Sequence, residues 1–215
     1  REAAFSNYDS NNDRAFTADR SRRVLRHTGG ADQALVQQVW PTEDYTDVAA
    51  GSTLTLLRAV ADLEITEQLR EALGKTYSPN VANAQSRHYP GYGTFAITAT
   101  VEPGEVEATS AAIRETVARL RAAPVDADIF QRARQPLLER LDNLLKTNTG
   151  WMSLVDRAQS QPDTIERYRA AKGRYQALTP ADVQAMAVKY LDPARAVEIV
   201  ILPAEQGSVP AAPSL

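Results

Sequence analysis

Alternation of apolar and polar residues is the first pattern along the chain, and it predicts several short strands. The predicted strands cover residues 22–28, 34–40, 94–101 and 196–202. A polar, alternating segment over residues 77–89 leads through the turn residues Pro90–Gly93 into the strand at 94–101, which predicts a β-hairpin. Pro41 is expected to end the second strand because proline lacks a backbone donor.

Apolar residues at helical spacing predict a long helical region between the second strand and the hairpin. Thr42, Glu43 and Asp44 supply a cap and first-turn acids, so the helical region is expected to span 44–73. The spacing falters over residues 61–63, so either one helix or two consecutive helices fit the pattern. Gly74 follows as a glycine stop.

The second half of the chain is mainly helical. One helix is predicted to run from about Glu102 to Ala123, and the next begins at Asp126 and contains Pro136, which should kink it. Three more helices are predicted over residues 151–158, from residue 162, and over 179–190, where Thr-Pro-Ala-Asp is a strong start signal.

This order of elements predicts an α+β fold, an antiparallel or mixed sheet with helices packed on one face. We expect residues 1–20 to form an irregular lead-in or linker and residues 21–203 to form a single domain. Residues 204–215 are expected to be a flexible tail.

Composition narrows the function classes. The 215 residues carry a net charge of -3 with both signs interspersed, which argues against a nucleic-acid or anionic-membrane surface. The absence of cysteine removes disulfides, thiolate zinc sites and cysteine nucleophiles, and leaves the redox compartment undetermined. No apolar run reaches membrane-spanning length. The chain starts with Arg1 rather than an initiator methionine or a signal peptide, which predicts that it was cut from a longer protein.

A self-contained active site is not visible in the sequence. The two histidines, His27 and His88, stand alone and form no His-x-x-Glu-His or related zinc motif. The glycines at residues 91 and 93 fit a hairpin turn better than a phosphate loop. Carboxylate pairs such as Glu64 and Glu67 are typical of a solvated helix face.

The stretch over residues 69–79 places two chemically useful side chains on either side of a sharp bend at Gly74. Arg70 offers a charged fork of donors and Tyr77 a phenol donor, so together they could hold a peptide carbonyl and the oxyanion it becomes. The structural alternative is that Arg70 offsets the helix dipole and Tyr77 is a half-buried strand aromatic.

Several segments, taken in order, resemble the pitrilysin/insulinase-type zinc metallopeptidases, the inverzincin group. These segments are Arg26 to Ala34 leading to Trp40-Pro41, Leu69-Arg70-Glu71-x-x-Gly74-x-x-Tyr77-Ser78, the turn at 90–93, the segment 124–136, Thr179 to Val183 and the closing strand. The resemblance covers residues 22–202. The Leu-Arg-Glu-x-x-Gly-x-x-Tyr element is moderately specific, and the order of the segments strengthens it.

The resemblance implies the C-terminal, non-zinc domain of such a peptidase, because the helix over 44–73 holds no histidine. Arg70 and Tyr77 match the family's pair that binds the substrate backbone and stabilises the tetrahedral intermediate. Zinc would then lie on a partner, an N-terminal zinc-bearing domain or subunit, and this chain alone is expected to hold no zinc and be inactive. Lys75 departs from the small or apolar residue common in the family at that position.

The implied activity is that of a zinc-dependent endopeptidase acting on peptide substrates, without nucleic acid or a membrane span. A periplasmic or cell-envelope location follows from the resemblance alone. The alternative is a non-catalytic structural or assembly domain of the same fold, as in the core subunits that resemble processing peptidases. A third alternative, an unrelated sheet-and-helix binding module, fits the order of the motifs less well.

Overall fold

A computed structural model describes residues 14–74, 79–156 and 161–204. The strands are β1 (Arg23–His27), β2 (Ala34–Thr42), β3 (Asn80–Gln85), β4 (Gly93–Val101) and β5 (Val197–Pro203). The helices are α1 (Val48–Leu73), α2 (Val106–Ala122), α3 (Ala127–Leu144), α4 (Asn148–Val155), α5 (Thr164–Ala177) and α6 (Pro180–Tyr190).

The five strands form one mixed sheet in the order β1-β5-β2-β4-β3. β1 pairs with β5 in parallel, whereas the other neighbours are antiparallel, including the hairpin of β3 and β4. The α+β class and the mixed sheet predicted from the sequence are therefore confirmed, as is the hairpin.

One face of the sheet is buried under helices. Along β2 the buried residues alternate with half-buried ones, and β4 follows the same pattern. The buried face includes Trp40 and Phe95, both fully inaccessible to solvent, and helices α2 and α6 pack against β2. The other face stays partly accessible, as expected for an antiparallel sheet with one solvated side.

Helix α1 is the central element of the core. It contacts α2, α3, α5, α6 and strand β3, so its apolar residues are buried on several sides of the helix. The fully buried residues of α1 are Leu54, Leu56, Leu57, Val60, Ala61, Ile65 and Leu69. A helix buried on several sides need not show a single apolar stripe, which explains the faltering pattern over residues 61–63.

The start of α1 differs from the sequence prediction. The helix begins at Val48, and Asp47 caps it by accepting a hydrogen bond from the Ala50 N–H at 2.9 Å. Asp44 instead accepts from Thr46 and from the Gly91 N–H, so its carboxylate serves a turn against the hairpin. The helix then continues without a break to Leu73, so the two-helix alternative is wrong.

Pro41 does not end strand β2 as the sequence predicts, whereas Pro136 lies inside helix α3 as predicted, and the kink expected there stays a prediction. Strand β2 extends through Pro41 to Thr42, because pairing with β5 has already ended at Val39 and only β4 lies alongside. Helix α3 begins after its Asp126 cap, as predicted, and runs on through Pro136. At the opposite end of the fold, Thr179 caps α6 as the sequence predicts.

Candidate functional site

The C-terminal end of α1 has the geometry that the sequence predicts. Gly74 adopts a left-handed conformation with φ of 62°, and its N–H donates to the carbonyl oxygen of Arg70 at 3.0 Å. Glycine suits this position because other residues pay a steric cost at positive φ. The bend therefore fixes the backbone of Arg70 in the last turn of α1.

The guanidinium of Arg70 faces solvent at this end of the helix. Its side chain is 55% exposed, and Nη1 lies 3.0 Å from Oε2 of Glu67, one turn earlier on the same helix. Ion pairs between exposed side chains contribute little, so the fork can exchange Glu67 for another acceptor at small cost. Arg70 is thus accessible to a ligand.

Tyr77 lies outside the described residues, as does Lys75. The described chain stops at Gly74 and resumes at Pro79, one residue before β3. The pairing of Arg70 with Tyr77 therefore stays a prediction from the sequence.

His27 has a structural role. Its Nδ1 accepts a hydrogen bond from the Gly29 N–H at 3.0 Å, so Nε2 carries the proton that is donated to the Gln33 carbonyl oxygen at 2.8 Å. Both ring nitrogens are thereby used to shape the turn between β1 and β2. Within residues 14–74, 79–156 and 161–204, no cluster of histidine, aspartate and glutamate side chains could hold a metal ion.

A groove of about 1220 Å³ opens at the other end of α1. It lies between the start of α1, the turn of the β3–β4 hairpin, and helices α3, α4 and α5; we call it the hairpin groove. Its charged and aromatic lining residues are Asp44, Tyr45, Asp47, Arg87, His88, Tyr89, Arg140, Asp156, Asp163, Arg167, Tyr168, Arg174 and Tyr175. The apolar part of the groove wall includes Leu137, Leu141, Leu144 and Leu154.

Arginine and tyrosine side chains of the hairpin groove hold one another in place. The guanidiniums of Arg87 and Arg167 lie 4.2 Å and 5.1 Å from the ring centroid of Tyr45, within range of cation–π attraction. Tyr168 donates its hydroxyl hydrogen to the Leu141 carbonyl oxygen at 3.0 Å. Burial raises the pKa of Tyr175, which therefore stays a neutral phenol at physiological pH.

The sequence motifs do not predict this groove. Its lining comes from segments that are far apart along the chain, and no motif joins them. A weak signal was present in α5, where Arg167 and Arg174, like Tyr168 and Tyr175, are seven residues apart and so lie on one helical face.

The hairpin groove and Arg70 lie at opposite ends of α1. The helix rises 1.5 Å per residue, so Asp47 in the groove and Arg70 are about 34 Å apart along its axis. One small ligand cannot contact both, so they are two separate sites.

Comparison with protein families gives one match, to the model described as the peptidase M16 inactive domain, over residues 4–137. Among curated protein sequences, none matches this chain. Within the described residues, none of the helices combines the length and the apolar character needed to cross a membrane.

Solved structures share the fold at low sequence identity. The periplasmic protease PqqL from Escherichia coli superposes with a TM-score of 0.72 at 14% identity, covering 87% of this chain and 21% of PqqL. The inactive peptidase domain of a predicted zinc protease from Bordetella parapertussis gives 0.65 at 20% identity, covering 88% and 99%. The ferredoxin protease FusC, solved with Arabidopsis ferredoxin, gives 0.68 at 14% identity, covering 86% and 20%. The chain therefore spans about a fifth of PqqL and FusC, and nearly all of the Bordetella domain.

Proposed function

Because the chain belongs to the peptidase M16 inactive-domain family, we propose that it completes the active site of a zinc-dependent endopeptidase without itself binding the zinc. In this proposal Arg70 and Tyr77 bind the backbone of the peptide substrate and stabilise the oxyanion that forms during hydrolysis. The zinc ion and the base that activates water are supplied by an N-terminal zinc-bearing domain or subunit.

The observation that carries the proposal is that the Arg70 side chain is exposed and only weakly paired. The guanidinium is exposed at a bend fixed by Gly74, and among the described residues it pairs with Glu67 alone, in a weak surface contact. A substrate carbonyl can replace Glu67, and the donors then lie ready for the negative charge that develops on that oxygen. Tyr77 follows Gly74 by three residues in the sequence.

Placement in the periplasm or cell envelope is part of the proposal. Its support is the periplasmic protease PqqL, one of the structural relatives. The chain contains no cysteine, so its stability does not depend on an oxidising or a reducing compartment.

A second candidate function is a purely structural domain that assembles with the zinc-bearing partner. The description of the family as an inactive domain favours it. In that case Arg70 would only offset the helix dipole and pair with Glu67.

Steady-state kinetics of the zinc-bearing assembly distinguish the two functions. Tyr77→Phe is expected to lower kcat about a hundredfold with a smaller change in KM, as found when an oxyanion donor is removed. Arg70→Ala should lower kcat/KM, and Arg70→Lys should restore only part of it because lysine lacks the planar fork.

Tyr92→Phe is the matched control. Tyr92 lies in the hairpin turn, and its hydroxyl makes no hydrogen bond to another of the described residues. If Tyr77→Phe and Arg70→Ala leave kcat at the level of Tyr92→Phe while the assembly stays intact, the domain is structural and the catalytic role is wrong.

A further inference from the structure

The hairpin groove has arginine donors that the protein itself does not neutralise. Within the described residues, Arg87, Arg140 and Arg174 line the groove and form no ion pair with a carboxylate. Arg140 is exposed and makes no hydrogen bond there either. Arg174 donates from Nε to Ser52 Oγ at 3.3 Å and from Nη2 to the Arg167 carbonyl oxygen at 2.7 Å, which points it along the groove wall.

The carboxylates of the groove, by contrast, are already engaged. Asp44 accepts from Thr46 and Gly91, Asp47 caps α1, and Asp163 pairs with Arg167. Asp156 also has an interaction within the protein. Arg87 and Arg174 donate to uncharged partners, such as Gln161 Oε1 and Ser52 Oγ, and among the described residues neither they nor Arg140 pair with a carboxylate. A ligand entering the groove therefore gains most by bringing carboxylates to these arginines.

Size and wall chemistry specify the kind of carboxylate ligand. The volume of about 1220 Å³ exceeds the 300–1000 Å³ or so of a small-molecule pocket, so an extended ligand fits better than a single small anion. Leucines 137, 141 and 144 lie between the charged groups and suit apolar side chains.

We propose that the hairpin groove binds an extended acidic polypeptide segment in which glutamate or aspartate residues are interspersed with apolar ones. Arginines 87, 140 and 174 hold its carboxylates in charge-assisted hydrogen bonds, and the leucines take its apolar side chains. The groove is about 34 Å along α1 from Arg70, so a short segment seated in the groove does not contact that end of the helix.

Fluorescence anisotropy with the purified chain tests the proposal. The probe is a short fluorescein-labelled peptide of glutamate, leucine and serine, and the comparison peptides carry lysine or glutamine in place of every glutamate. We expect the acidic peptide to bind most tightly and to weaken as salt is raised. Equal binding of the glutamine or lysine peptide would overturn the proposal.

Arg140→Ala is the informative variant because Arg140 is exposed and, among the described residues, makes no hydrogen bond or ion pair, only an electrostatic interaction with Tyr175, so its loss should disturb folding little. It should weaken binding of the acidic peptide about threefold, and the charge-reversed Arg140→Glu about tenfold. Arg169→Ala is the control, since Arg169 is an exposed residue of α5 outside the groove. Equal weakening by Arg169→Ala would show a diffuse charge effect and refute the site.

Two competition experiments distinguish an acidic polypeptide from small carboxylates and from nucleic acid. Free glutamate that displaces the peptide at concentrations near the peptide's own Kd would assign the groove to small carboxylates instead. A single-stranded oligonucleotide whose binding depends on Arg140 would assign it to nucleic acid. This test measures peptide binding by the chain through Arg140, whereas the roles of Arg70 and Tyr77 are tested by the kcat of the zinc-bearing assembly, so either proposal can fail without the other.

Discussion

Glu198 on β5 and Arg114 on α2 lie 3.0 Å apart between Oε2 and Nη1, and this contact joins the sheet to a helix. The same oxygen accepts from Gln38 Nε2 at 2.9 Å and from the Ser110 hydroxyl, while Oε1 lies 3.0 Å from Arg22 Nε. The Glu198 side chain is only 14% exposed, so the network is largely shielded from water.

Glu198→Gln should therefore destabilise the fold by about 2 kcal/mol, because Arg114 loses the carboxylate it pairs with and Arg22 keeps only the exposed Glu107. Urea unfolding measures the difference. Glu107→Gln is the matched control, since Glu107 also pairs with Arg22 but is 72% exposed, and its loss should change the stability much less. Equal losses for both variants would contradict a special role for the shielded carboxylate.

Two glycine-to-alanine variants should change stability in opposite directions. At Gly74 an added Cβ meets nothing within 4 Å, so the cost comes only from its φ of 62°, and Gly74→Ala should destabilise by about 1 kcal/mol. At Gly173, inside α5 and equally free of contacts, alanine should stabilise by about 0.5–1 kcal/mol.

Chemical unfolding of the two variants beside the wild type checks both signs. Gly74→Asn should recover part of the loss, because asparagine tolerates the left-handed region better than alanine. A stable Gly74→Ala variant would mean that the backbone at this bend can relax, and with it the placement of Arg70.

Asp44 should make stability depend on acidic pH. The Thr46 hydroxyl and the N–H groups of Gly91 and Thr46 hold the pKa of its carboxyl below the usual value. The folded state therefore favours the charged form, and this contribution is present above the unfolded pKa of about 4 and lost as pH falls through the lower folded value.

Asp44→Asn should accordingly be less stable than wild type at neutral pH, with the difference shrinking below about pH 4. Thermal unfolding across pH 2 to 7 measures this, with Asp128→Asn as the control because the Asp128 side chain is 75% exposed. A constant difference between Asp44→Asn and wild type at every pH would contradict the assignment.

The isolated chain should bind no zinc at stoichiometric levels. The described residues contain no cluster of metal ligands, and His27 uses both ring nitrogens within its own turn. Titration calorimetry with zinc checks this expectation, and peptide hydrolysis by the isolated chain should be absent. A saturable site of one zinc per chain together with peptidase activity would refute the division of labour proposed here.

Local signals in the sequence were sufficient where the structure is local. The start of α6 was predicted correctly because Thr179 and Asp182 satisfy each other's backbone within one turn. The left-handed stop at Gly74 is likewise local. The start of α1 was wrongly predicted at Asp44, because the Asp44 carboxylate accepts a hydrogen bond from the Gly91 N–H in the hairpin, which is distant in sequence.

The candidate sites at the two ends of α1 also differ in how far local sequence signals predict them. Arg70 could be selected from a short motif, although the position of Tyr77 relative to it lies outside the described residues. The hairpin groove could not, because Arg87, Arg140 and Arg174 come from three different elements and meet only when the helices have packed. Neither residue spacing nor composition indicates directly that these three arginines lie around one groove.

The position of β5 affects the order in which the sheet can form. β5 lies between β1 and β2, yet it is synthesised only after α2 to α6. Until it emerges from the ribosome, the side of β2 that faces β5 is an unpaired edge, and β1 has no neighbour within the sheet. Long-range pairing of this kind is slow to form. For most of its synthesis the nascent chain therefore has an unpaired strand edge, which is a site for chaperone binding or for aggregation.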